Sequence, residues 1–146
     1  MEEQPDVGSV MKAYAEDAVS HAKAAFDIDL DFSDESVERV EGVLGKLYEN
    51  IPRGFLARLF RKGPSEADIE QMSKAYGGYI GEVLCRNSGG RWKLGSDAFP
   101  GERIITLELP HGGDAWPHFK VGKRLSNGPE DNVWHYFTLA KKGFQG

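Results

Sequence analysis

The stretch that decides the fold is GGYIGEVLCRNSGGRW, residues 77–92. With Ile69, Met72 and Tyr76 upstream, Ile80, Val83 and Leu84 continue a spacing of three and four, which predicts a helix with one apolar side. Gly77, Gly81 and Cys85 stand four apart and share a second stripe of that helix. Gly89 and Gly90 supply a stop near Asn87. Beyond them the apolar period changes to two, so the helix is expected to hand over to a sheet at Trp92. Each helical glycine costs about 1 kcal/mol relative to alanine. The expected recovery is close approach of another backbone, and the alternative is a ligand lying against bare main chain. Glu82 sits beside this stripe in a helix that reads as mostly buried, so its carboxylate needs partners. Arg86, one turn on, is in the favourable order for an ion pair.

Two helices are expected on the N-terminal side. Asp6 caps the first, which runs to about Phe26 with Val7, Val10, Met11, Tyr14, Ala18, Ala22, Ala25 and Phe26 on its apolar face. Residues 27–32 alternate acidic and apolar side chains and read equally as a short extended piece or a loop. Ser33 caps the second helix, with Val37, Val40, Leu44, Leu47, Tyr48 and Ile51 inward and Pro52 at its end. Residues 53–62 form a short basic amphipathic piece, broken by Gly63-Pro64. Ser65 with Asp68 resembles a capping box for the glycine-bearing helix.

On the C-terminal side, Trp92 and Leu94 mark one strand, and Ile105, Leu107 and Leu109 a second. Phe119 and Val121, with Leu125, mark a third. The short glycine- and proline-bearing connections favour an antiparallel meander. After the turn Asn127-Gly128-Pro129, Glu130 and Asp131 open a last helix with Val133, Trp134 and Phe137 inward. The expected architecture is therefore α+β: three N-terminal helices, a small three-stranded antiparallel meander and a C-terminal helix. Its 146 residues fit one domain, with residues 1–6 and 142–146 frayed.

Composition narrows the function classes. The net charge of −5 weighs against nucleic acid and anionic membranes as partners. A lone cysteine, Cys85, makes no internal disulfide, and no basic-then-apolar leader opens the chain, so a cytoplasmic location is expected.

The run Gly77 to Leu84 followed by Gly89-Gly90-Arg91-Trp92 resembles a family of small bacterial proteins of unknown function. Its members carry a Gly-x-Tyr-x-Gly-Glu helix and a Gly-Gly-x-Trp strand start. Leu30-Asp31-Phe32-Ser33, the run from Phe119 to Leu125, and the ending from Asn127 to Asp131 with Trp134 to Phe137 are similar too, so the resemblance covers roughly residues 28 to 138. That family has no assigned activity and no agreed catalytic residues, so none is carried over. By analogy, some small acidic bacterial proteins act as immunity or regulatory partners.

Motif by motif, no catalytic constellation forms. Gly42 to Lys46 lacks the spacing of a phosphate loop and lies inside a predicted helix. His111, Asp114 and His118 read as loop residues rather than a metal set. Cys85 reads as packing rather than as a thiol paired with His135. Glu82, Asp97, Glu102 and Glu108 fall on different elements. Two basic clusters stand out: Arg53, Arg58, Arg61 and Lys62, and then Lys120, Lys123 and Arg124. Catalytic residues, metals and cofactors are thus expected to be none, and the candidate binding residues are Glu82, Arg86, Arg91, Trp92, Lys123 and Arg124. Two readings stay open, beside a third that the acidic balance disfavours, nucleic-acid binding through residues 53–62. One is a non-enzymatic module that binds a protein partner. The other is a small-ligand binder or enzyme, with Glu82 in a pocket beside the glycine helix and an anionic ligand as its natural guest.

Overall fold

The computed structural model describes residues 6–50 and 66–143. The basic stretch 53–62, the end of the second helix at Ile51-Pro52 and the Ser65 cap lie outside them. The elements are α1 (Val7–Phe26), α2 (Ser36–Asn50), α3 (Glu66–Ser88), β1 (Arg91–Leu94), β2 (Ile105–Glu108), β3 (Asp114–Ala115), α4 (Pro117–Asn127), a 3-10 turn (Pro129–Asp131) and α5 (Val133–Lys142). The strands form one antiparallel sheet in the order β1-β2-β3, with Trp92 opposite Leu107 and Leu107 opposite Ala115. The α+β class, the helices that precede the sheet and the antiparallel meander are as the periodicity predicts.

Local chemistry sets the boundaries. The Asp6 carboxylate accepts from the Ser9 N–H at 3.0 Å and caps α1. The Ser33 hydroxyl accepts from the Ser36 N–H at 3.1 Å and starts α2. At the end of α3, Gly89 takes φ +84°, the left-handed conformation that commonly ends a helix, and the Gly90 N–H reaches back to the Leu84 carbonyl at 3.1 Å. Residues 27–32 are a loop, not a strand.

The expected third strand at Phe119 and Val121 is instead the helix α4, and the third strand is the short β3 before it. Pro117 occupies the first helical position, where its missing N–H costs nothing. The buried positions are Pro117, Val121, Arg124 and Leu125, a helical spacing. Phe119 is 47% exposed, so the apparent two-residue period joined one core residue to one surface residue. The last helix starts at Val133 rather than at Glu130 and Asp131, which lie in the 3-10 turn. Its cap is Asn132, whose side chain accepts from the His135 N–H at 2.9 Å.

α3 runs through the centre of the molecule, and its residues from Ala75 to Leu84 are all buried. The glycines explain how so many neighbours reach it. A Cβ at Gly78 would stand 2.9 Å from the Met11 carbonyl oxygen of α1, and one at Gly77 would stand 2.4 Å from the His118 Cα of α4. One at Gly81 would fall 2.1 Å from the Trp92 ring of β1. The propensity lost by each glycine is recovered as close packing on three different elements. α1 meets α3 through its buried Met11, Ala15, Ala18 and Ala22. Val37, Val40, Val43 and Leu44 of α2, Leu107 of β2, and Val133, Phe137 and Ala140 complete a contiguous core.

Candidate functional site

Glu82, Arg86 and Trp92 come together, as a structural cluster. The Trp92 indole N–H donates to Glu82 Oε2 at 3.1 Å, and Arg86 Nη2 stands 3.5 Å from Glu82 Oε1. Glu82 is 7% exposed, so these contacts supply the partners its burial requires. The Arg86 guanidinium in turn lies 3.7 Å from the centre of the Phe32 ring. Phe32 holds φ +62°, a left-handed conformation that is costly for a bulky side chain. α3 holds it in place: the Phe32 N–H donates to Tyr79 Oη at 2.7 Å, and the Asn87 amide donates to its carbonyl at 2.9 Å. The Ser36 hydroxyl gives its proton to the Ser33 carbonyl at 2.6 Å, so the Tyr79 hydroxyl donates to Ser36 Oγ, also at 2.6 Å. The cluster thus locks the loop before α2 and the start of β1 onto α3.

The remaining candidates disperse. Arg91 is exposed and reaches Glu108 across the sheet at 3.4 Å. Arg124 is 4% exposed and clasps Glu41 of α2: Nε lies 3.0 and 2.9 Å from its two carboxylate oxygens, and Nη2 lies 2.8 Å from Oε2. Glu41 also accepts from the Val133 N–H at 2.9 Å, so the pair ties α2, α4 and the start of α5. Lys120 is taken by Asp131 at 3.0 Å. The cluster Lys120, Lys123 and Arg124 is therefore not a basic patch, and only Lys123 is left facing outward without an ion pair among the described residues.

Lys123 lines a groove of about 640 Å³ between the first half of α3 and α4. Two stripes of helical spacing form its walls: Glu70, Ser73 and Lys74 on α3, and Phe119, Gly122, Lys123 and Ser126 on α4. His118 and Asn127 complete it. Gly77 brings the two walls together, whereas Gly122 leaves room for ordinary contact. Gly77 lets the start of α4 settle on α3 beside His118, and a Cβ at Gly122 would stand 3.4 Å from Ser73 Oγ. The volume lies in the range of small-ligand and side-chain pockets.

The electrostatics of the groove are simple. Lys74 pairs with Glu70 at 3.2 Å. Burial, together with the Lys74 charge, pulls the His118 imidazole down to about 4, so it is neutral near pH 7. Its Nδ1 is buried with no hydrogen-bond partner among the described residues. Phe119 adds an exposed ring against His118, with centroids 4.3 Å apart. Such a lining offers an apolar surface, one free cation and neutral polar groups.

A second concavity of about 450 Å³ is lined by Ile28, Asp29, Asp31, Arg39, Gly42 and Lys46. Arg39 is already held there by the Asp29 carbonyl at 3.1 Å and lies 3.7 Å from Asp31. Neither concavity includes Glu82, Arg86, Arg91 or Trp92. Among the described residues no cluster of three or more His, Cys, Asp or Glu is placed to hold a metal ion, and no helix is long and apolar enough to cross a membrane. The groove residues Glu70, Ser73, Lys74, His118, Phe119, Gly122 and Ser126 were not singled out in the sequence as a site. The signal was present as the three-and-four spacing of Phe119, Gly122, Lys123 and Ser126, which only a helical reading of that segment would expose. No protein-family model, curated protein or solved structure matches the chain.

Proposed function

We propose that this chain is a non-enzymatic protein-binding module, of the regulatory or immunity type and cytoplasmic, and that the α3–α4 groove is where it engages its partner. The observation that carries this reading is the groove itself: an exposed aromatic ring beside a lysine with no ion pair among the described residues, on a surface formed by two packed helices. Interfaces draw their energy from a few aromatic and cationic anchors in such places. The net charge of −5 agrees with a partner other than nucleic acid. The alternative, a small-ligand binder or enzyme working through Glu82, loses its main motivation, because the carboxylate is accounted for by Trp92 and Arg86.

The test is a selection of phage-displayed random heptapeptides on the immobilised chain, followed by fluorescence anisotropy with synthetic versions of the enriched sequences. Enriched peptides are expected to bind the wild type and to lose about fivefold or more in affinity with Phe119→Ala, the effect of truncating an anchor. Selected peptides that bind Phe119→Ala as well as wild type, or no enrichment at all, would remove the groove as a docking surface.

A further inference from the structure

We infer that the segment taken by the α3–α4 groove presents a carboxylate and an apolar side chain on one face, the carboxylate pairing with Lys123 and the apolar group lying on Phe119. This deepens the docking reading above and depends on it.

The charges around the groove point one way. Its lining carries two lysines, Lys74 and Lys123, against the single glutamate Glu70, in a chain whose net charge is −5. Lys74 is engaged by Glu70. The cations beside Lys123 are also committed, Lys120 to Asp131 and Arg124 to Glu41. Of the two lining lysines, Lys123 makes no ion pair among the described residues, and only the field of nearby Asp131 acts on it, so its ammonium is the one open to a guest. It is exposed, so pairing costs little desolvation of the ammonium. Phe119 stands one helical turn before it on the same stripe, which places ring and ammonium side by side at roughly 5–6 Å between Cβ atoms. A guest that meets both must carry its apolar and acidic groups together on one face. Ser126, one turn further along, supplies a neutral hydroxyl beyond the ammonium. A basic segment would set its charge against Lys123, and like charges facing each other are a strong basis for rejection.

The experiment uses two fluorescein-labelled heptapeptides derived from the selection. They are identical except that one carries glutamate and the other lysine beside the apolar residue. The full chain should bind the acidic peptide roughly tenfold more tightly, with a preference that shrinks as salt rises. Lys123→Glu should reverse the order, while Arg91→Glu, a charge change of the same size outside the groove, should leave it unchanged. Circular dichroism and a thermal melt show whether each variant is folded. If both peptides depend on Phe119 but Lys123→Glu leaves their order intact, the acidic preference is wrong and the docking reading stands. If neither peptide depends on Phe119, the docking reading fails and the preference with it. Displacement of the acidic peptide by millimolar free succinate would mean that the groove is a small-carboxylate site, which overturns a peptide occupant.

Discussion

Gly81 and Trp92 show how much of this structure rests on an absent methyl group. The indole ring occupies the space a Cβ would need, and its N–H closes on the neighbouring Glu82 carboxylate. Gly81→Ala should therefore push the ring off α3 and destabilise the protein by about 1–3 kcal/mol, beyond the small gain in helix propensity. Urea unfolding measures this, and an unchanged midpoint would mean that the ring has room to move. At this scale the sequence was informative in kind. The glycine stripe pointed to close approach, and a carboxylate in a buried helix pointed to a need for partners. Which neighbour each glycine would admit was not legible, because Gly77, Gly78 and Gly81 face α4, α1 and β1, elements far apart along the chain.

At the scale of elements, α4 is the instructive case. Its buried face includes an arginine, so a reading that follows apolar residues alone finds only Phe119, Val121 and Leu125 and takes them for a strand. The helical stripe becomes visible once Arg124 is counted as a core position held by Glu41. The two residues lie on elements separated by the whole sheet, and no local pattern announces the pair. Removing one partner of a buried ion pair leaves the other charge stranded, which typically costs about 3–5 kcal/mol. Glu41→Gln is expected to lose stability on that scale. The double change Glu41→Gln with Arg124→Met should recover part of the loss, because no uncompensated charge remains. Equal destabilisation of the single and double variants in denaturant melts would show that the buried charge is not what matters.

For the whole molecule, pH is the natural probe, since the fold keeps two histidines neutral. Burial lowers His21, and burial with the nearby Lys74 charge takes His118 down to about 4, against an ordinary value of 6.5. Below about 6.5 the unfolded chain takes up protons that the fold resists, so stability should fall as the pH drops from 7 towards 4. Below about 4 the folded His118 protonates as well, and its share of the decline ends. Urea midpoints at pH 7, 6 and 5 should fall in that order, with a shallower slope in His118→Phe. A flat profile would mean that His118 is better solvated than its place between α3 and α4 suggests. That same packing of α4 on α3 makes the groove, and the claim that the groove docks a protein segment is best tested by mapping amide chemical shifts while the tightest selected peptide is added to the ¹⁵N-labelled chain. The account predicts perturbations concentrated at Ser73, Lys74, Phe119, Lys123 and Ser126. Perturbations centred instead on Glu82, Arg86 and Trp92 would contradict it.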